Sequence, residues 1–106
     1  MDAFEVDDLK SRLERSGESY LEFLRVPAMS AGLYTLPAGG TDPQTPHRED
    51  EVYYVLSGRA VLRVADQDHP VKPGSVIFVE ANAVHRFHSI EEDLTVLVFF
   101  APAESG

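Results

Sequence analysis

The sequence predicts a single all-β domain, an antiparallel sandwich or closed barrel that follows one short helix. Short β-prone runs separated by turn residues extend from Tyr20 almost to the end of the chain, with almost no helix between them. This texture favours an antiparallel architecture over a parallel α/β one. The length of 106 residues suits one domain with one modest core. We expect a helical segment over residues 1–18 and a barrel over residues 19–103.

The helix is predicted from the spacing of apolar residues between Val6 and Arg15, and Gly17 ends it. The last strand is apolar on both faces, so one face should fill the interior while the helix or a second subunit covers the other. Turns are expected at Ser57-Gly58, Asp66–Pro70 and Glu91–Asp93. The predicted strands are Tyr20–Val26, Ala31–Leu36, Glu51–Leu56, Ala60–Val64, Ser75–Glu80, His85–His88 and Leu94–Phe100.

Charge and composition exclude several classes of function. The net charge is -9, and the nine Lys and Arg residues are scattered singly, which disfavours nucleic acid and anionic membrane surfaces as partners. The absence of cysteine excludes disulfides, thiolate zinc sites and a cysteine nucleophile. Neither a signal-peptide pattern nor a membrane span is recognisable, so a cytoplasmic location is expected.

Two stretches carry the residues that suit metal chemistry. Residues 40–58 read GTDPQTPHREDEVYYVLSG, in which His47 and Glu51 share strand parity and can face one side. Residues 73–89 read PGSVIFVEANAVHRFHS, in which His85 follows a short turn. Two imidazoles and one carboxylate suit zinc, iron, manganese, nickel or copper, and non-haem Fe(II) oxygenases use this set with open positions.

The same stretches resemble the two motifs of the cupin superfamily. The resemblance covers about residues 31–100 and implies a double-stranded β-helix, or jelly-roll barrel, with a metal centre. The first His of the family's HxH pair is Thr45 here, and the second motif keeps fewer of its residues, with Glu80, Asn82 and Ser89 in place of Pro, Gly and Asn. The matching positions are Gly40, His47, Glu51 and Gly58 in the first motif and Gly74 and His85 in the second.

The resemblance implies that His47, Glu51 and His85 hold one divalent metal ion, Fe, Mn, Zn or Ni. Gln44 is a weak fourth ligand through its amide oxygen, and water or His88 are the alternatives in place of the histidine that Thr45 replaces. Tyr53 shares the parity of Glu51 and should line the same interior, where its phenol would orient a small ligand as the catalytic candidate.

The residues around these candidates are assigned plainer roles. His69 lies in a polar turn and is expected to be exposed, and His88 should face away from His85. Glu49 and Asp50 are interpreted as a solvated rim. Arg48 and Arg86 are expected to point outward, with the alternative that either binds a substrate carboxylate at the barrel mouth.

Three functions stay open on this sequence. The first is an Fe or Mn dioxygenase that acts on an organic acid, enol or phenol. The second is a Zn or Ni lyase, isomerase or cyclase. The third is a non-catalytic module that binds a small molecule. A homodimer is also expected, because Tyr20–Val26 is an apolar strand outside the motif-bearing barrel, and an unpaired edge of this kind invites another chain.

Overall fold

A computed structural model describes residues 1–43 and 46–105, and within them it contains one helix and six strands. The mostly β, antiparallel class is therefore confirmed. The helix ends as predicted, because Gly17 takes the left-handed conformation that glycine tolerates best and its N–H bonds the carbonyl of Glu14. The elements are α1 Val6–Ser16, β1 Tyr20–Val26, β2 Met29–Leu36, β3 Asp50–Val64, β4 Gln67–Val71, β5 Val76–Val79 and β6 His85–Ala101.

All strands pair antiparallel, in the order β1-β2-β6-β3-β4, and β5 also pairs with β3. The two long strands β3 and β6 form the centre, since their pairing extends from Asp50 opposite Ala101 to Val64 opposite His85. At one end β1 pairs with β2 and, in the described residues, with no other strand. The first strand is therefore an edge of the sheet.

The predicted break at Ser57-Gly58 is wrong, because β3 passes through it as one strand of 15 residues. Glu51, Tyr53 and Val55 point into the core before the irregularity, whereas Ala60 and later even-numbered residues do so after it. Gly58 sits between the two halves with a φ of 95°, where the pairing with β6 shifts register. The dipeptide thus forms a bulge that changes which residues face inward.

The predicted breaks in the second half are also wrong. Glu91–Asp93 does not separate two strands, since β6 is continuous over 17 residues. Its inward residues change parity between Phe87 and Ile90, beside Ser89, whose φ is 50°. The predicted turn Asp66–Pro70 instead forms most of β4, a strand that pairs only with β3 in the described residues, so Pro70 can occupy it without breaking a ladder.

Apolar side chains pack on both faces of the sheet. The larger cluster fills the interior and includes Tyr53, Leu62 and Phe87. On the outer face, Leu9 and Leu13 of α1 pack against Leu33, with Leu97 of β6 beside them. The helix therefore covers part of the second apolar face of the last strand, as one of the two predicted alternatives required. No helix in the described residues has the length and apolar character needed to cross a membrane.

Candidate metal centre

Three elements deliver the predicted ligands to one end of the barrel interior. Glu51 is the second residue of β3, where it lies opposite Val79 of β5, and His85 is the first residue of β6. His47 lies in the loop before β3, and its carbonyl accepts a hydrogen bond of 2.6 Å from the backbone N–H of Asn82. This bond ties the first histidine to the turn that precedes the second one. One potential ligand atom from each of His47, Glu51 and His85 lies within 4.8 Å of the other two.

The buried polar atoms of this group suit a cation. Glu51 is 2% exposed and His85 4% exposed, and their Oε1 and Nε2 atoms are 2.9 Å apart. Both carboxylate oxygens of Glu51 and Nε2 of His85 nevertheless lack a properly aligned hydrogen bond. Buried charges of this kind are costly unless they are paired or coordinate a metal. Because the donor set is also one that divalent ions prefer, the residues present fit a metal ion.

The orientation of His85 is set by its other ring nitrogen. Nδ1 lies 2.8 Å from the carbonyl of Ala83, which favours a proton on Nδ1 and leaves Nε2 for the site. Burial by itself lowers the pKa of His85, but contact with the Glu51 carboxylate and the Ala83 carbonyl outweighs burial and raises it. A metal ion would therefore have to compete with a proton for Nε2.

A second acidic residue, Glu104, lies at the site. Its Oε2 lies 3.1 Å from Nδ1 of His47, and its side chain lines the same cavity. Partial burial raises the pKa of Glu104, as do the carboxylates of Glu49 and Glu51, while His47 opposes them. Glu104 was not predictable from the sequence, because it lies in the C-terminal tail and belongs to no motif.

Two of the three grouped residues, His47 and Glu51, line a cavity of about 170 Å³. Tyr53 lies on its wall, as predicted from its parity with Glu51, and is fully buried with its ring 6.1 Å from that of His85. Two further tyrosines, Tyr20 and Tyr34, were not foreseen. The described residues that line the cavity are Tyr20, Tyr34, Pro43, His47, Glu51, Tyr53, Val98, Phe100 and Glu104.

Tyr20 reaches the cavity from the edge strand β1. It can do so because Gly32 lies beneath its ring, where a Cβ atom would overlap the phenol. The hydroxyl of Tyr20 is buried and has no hydrogen-bond partner among the described residues. Burial, with a contribution from Glu104, raises its pKa, so this phenol stays protonated at neutral pH. Tyr20 therefore brings a hydrogen-bond donor to the cavity wall.

The remaining predicted positions fall into three groups. Gln44, the weak fourth ligand, and Thr45 lie outside the described residues. His88 faces away from the site and lies 3.0 Å from Asp68, so it is no ligand in this structure. Arg48, Arg86 and His69 are exposed, as expected.

The interpretation of Glu49 as solvated rim is wrong, while Asp50 is exposed as predicted. Glu49 is only 5% exposed, because the C-terminal tail covers it and the hydroxyl of Ser105 donates a bond of 2.8 Å to its Oε2. The Asp50 carboxylate instead accepts a bond from the backbone N–H of Ala81.

Comparisons with known proteins identify the family. The cupin domain family model matches residues 32–100, which include all three grouped residues. An uncharacterized protein of Streptomyces coelicolor is 50% identical over 105 residues, which cover 99% of this chain and 100% of the relative. The chain therefore belongs to the cupin family.

Solved structures share the fold. The TT1209 structure from Thermus thermophilus superposes with a TM-score of 0.75 at 25% identity, over 97% of this chain and 99% of the other. The DMSP lyase DddQ from Ruegeria pomeroyi superposes with a TM-score of 0.67 at 22% identity, over 72% of this chain. The match covers 39% of that lyase, so the likeness extends to a part of the larger enzyme and shows the fold alone.

Proposed function

We propose that this cupin is a metal-dependent enzyme of the dioxygenase type that acts on a small organic molecule. One observation carries the proposal: two imidazoles and one carboxylate converge beside a small cavity that His47 and Glu51 line, and three buried polar atoms of Glu51 and His85 lack hydrogen bonds. His47, Glu51 and His85 would hold the ion, and iron or manganese is the metal this reaction requires. The cytoplasmic location stays a prediction.

The bound metal would supply Lewis acidity and the redox chemistry that activation of O₂ requires. The chain itself supplies position and exclusion of water. Tyr53 lies on the cavity wall with its ring near that of His85, and there it would orient an enol or phenol substrate. Val98 and Phe100 make part of the wall apolar, which favours a largely uncharged, compact ligand.

A second candidate, a zinc or nickel lyase, isomerase or cyclase, is favoured by a different observation. Such a reaction needs groups that hold and move a proton, and Glu104 and Tyr20 both border the cavity within reach of a ligand there. The non-catalytic binding module would need the cavity but not the ion.

Metal analysis separates these functions. The purified protein should contain about one divalent ion per chain, and Glu51→Gln and His85→Ala should each lower metal affinity at least tenfold, because each removes a ligand. His69→Ala is the matched control, since His69 is exposed and lies outside the group. Retention of full metal affinity by both ligand variants would contradict the site.

Oxygen consumption then tests the reaction. Iron-loaded protein should take up O₂ in the presence of small enols or phenols, and Tyr53→Phe should raise KM more than it lowers kcat if the phenol only orients the substrate. A protein that binds iron at this site but never consumes O₂, while zinc-loaded protein turns over, would replace the dioxygenase with the second candidate. Activity or binding that survives removal of the ion would favour the binding module.

A further inference from the structure

We propose that Glu104 determines which ligands the site accepts: it makes the metal-loaded cavity select uncharged molecules with a hydrogen-bond acceptor and reject carboxylates. This inference rests on the proposed metal site and names the substrate class for it. It narrows the substrates from organic acids, enols and phenols to uncharged ones.

The tail places Glu104 firmly at the cavity. Its backbone N–H donates a bond of 2.9 Å to the hydroxyl of Ser30, a residue with no exposed surface, and Arg25 donates one of 2.7 Å to its carbonyl. The next residue, Ser105, bonds the buried carboxylate of Glu49. Both backbone polar groups of Glu104 are thus held, and its carboxylate lies over His47 as a built part of the site.

The charge of the site follows from that placement. A divalent ion and Glu51 alone would leave one positive charge, which attracts an organic acid. Glu104 cancels this charge, and the described residues that line the cavity include no lysine or arginine. The two arginines beside the ligands, Arg48 and Arg86, are exposed and are not among them. An anion that enters the cavity would therefore carry an uncompensated charge next to Glu104.

Tyr20 supplies the complementary attraction. Tyr20 lines the cavity, and its hydroxyl is buried and has no hydrogen-bond partner among the described residues, so a ligand that accepts a hydrogen bond from it would satisfy it. Gly32 leaves room for the ring at this place. A small uncharged molecule with a carbonyl or hydroxyl oxygen meets both conditions, the donor at Tyr20 and the absence of net charge.

Acetate and acetamide test the inference, because they share a shape and differ in charge. Each is titrated into Co(II)-loaded protein at about pH 8, where acetate is fully ionised, and binding is followed by the visible absorption of cobalt. Glu104→Gln should raise the affinity for acetate about tenfold while the affinity for acetamide changes less than about twofold. Glu92→Gln, which removes an exposed carboxylate paired with Arg59, is the control and should change neither.

Two more variants test how the site is built. Ser30→Ala removes the bond that anchors Glu104 without touching the cavity charge, and it should raise acetate affinity by a smaller factor of about two to five. Tyr20→Phe should lower the affinity for acetamide several-fold and leave the ligand-free cobalt spectrum unchanged.

The outcomes are distinct. An acetate-to-acetamide affinity ratio that stays at the wild-type value in both Glu104→Gln and Ser30→Ala overturns the role of Glu104 and leaves the metal site intact. A wild-type protein that does not retain cobalt overturns the metal site and this inference together. If only Glu104→Gln loses cobalt, the acetate-to-acetamide affinity ratio of Ser30→Ala tests the role of Glu104. A ratio above that of the wild type supports the role, and an unchanged ratio overturns it.

Discussion

Asp42 connects the cavity wall to the central strand through its two carboxylate oxygens. The hydroxyl of Tyr34 donates a bond of 2.7 Å to Oδ1, and the backbone N–H of Phe87 donates one of 2.9 Å to Oδ2. Asp42 and Tyr34 are both buried, so these bonds form in a medium where a lost partner is expensive. The pair holds Asp42 against β6.

This contact predicts how stability depends on alkaline pH. Burial, followed by the bond to Asp42, raises the pKa of Tyr34 above that of an unfolded tyrosine. From about pH 10 upward the unfolded chain therefore releases a proton that the folded protein keeps, and the free energy of unfolding falls by up to about 1.4 kcal/mol per pH unit. Below the unfolded pKa this contribution is fully present.

Tyr34→Phe removes the group whose proton the folded protein keeps and the unfolded chain releases. The variant should lose about 1–3 kcal/mol at neutral pH, since Asp42 loses a buried donor, but its stability should decline less steeply above about pH 10. Urea unfolding at a series of pH values measures both effects. Tyr54→Phe, at a site 39% exposed, should change neither. Equal alkaline slopes for wild type and Tyr34→Phe would contradict the argument.

At the scale of elements, the two long strands depend on the bulge at Gly58. A Cβ atom there would overlap the carbonyl oxygen of Asp93, and the φ of 95° is unfavourable for any other residue. Gly58→Ala should therefore cost about 3 kcal/mol or more, because backbone cannot move aside. Gly74→Ala has a similar φ of 93° but open space, and it should cost only about 1–2 kcal/mol. Denaturant unfolding measures the loss of unfolding free energy in both variants. Equal losses would mean that only the positive φ matters and that the contact with Asp93 does not.

The helix contributes to stability through the apolar side chains that it packs against the sheet. Leu13 is 3% exposed and packs in the outer cluster with Leu33. Leu13→Ala should lower the free energy of unfolding by about 2–4 kcal/mol. Arg12→Ala, one residue earlier on the exposed side, should stay within about 0.5 kcal/mol. A negligible effect of Leu13→Ala in thermal unfolding would show that α1 is dispensable.

These elements also show which local signals a sequence contains. The helix was predictable to within a residue, because its apolar spacing and Gly17 report on the helix alone. The breaks in β3 and β6 were not, because Ser57-Gly58 suits both a turn and a bulge. Only the pairing of the opposite strand decides between them, and that partner is distant in the sequence.

At the scale of the whole molecule, the homodimer predicted from β1 stays a prediction. The strand has one free edge in the described residues, which could pair with a second copy. A second apolar surface competes with it, since Val76 and Phe78 of β5 are 67% and 62% exposed. Light scattering of the wild type should give the mass of two chains, and Phe78→Glu should leave it unchanged. A monomeric wild type would contradict the homodimer. A monomeric Phe78→Glu variant of a dimeric wild type would show that the interface lies at β5 and not at β1.

The candidate site was predictable in the part that lies within the two sequence motifs. His47, Glu51 and His85 stand at motif spacing beside the strands that carry them, and Tyr53 follows by parity. Tyr20 and Glu104 come from opposite ends of the chain. They come together because both segments contact β2: β1 pairs with it, so that the Tyr20 ring lies over Gly32, and the Glu104 N–H bonds to Ser30. Their proximity depends on the tertiary structure, and no local sequence pattern indicates it.

The positions of Tyr20 and Glu104 also bear on how this group of proteins diverges. Both lie outside residues 32–100, the span that the family shares, whereas the three grouped residues lie inside it. On the proposed role of Glu104, selection can exchange the flanking segments and alter ligand preference while the inherited barrel stays as it is. Two cupins with the same barrel can then bind different ligands, because the residues that distinguish them lie in the two flanks.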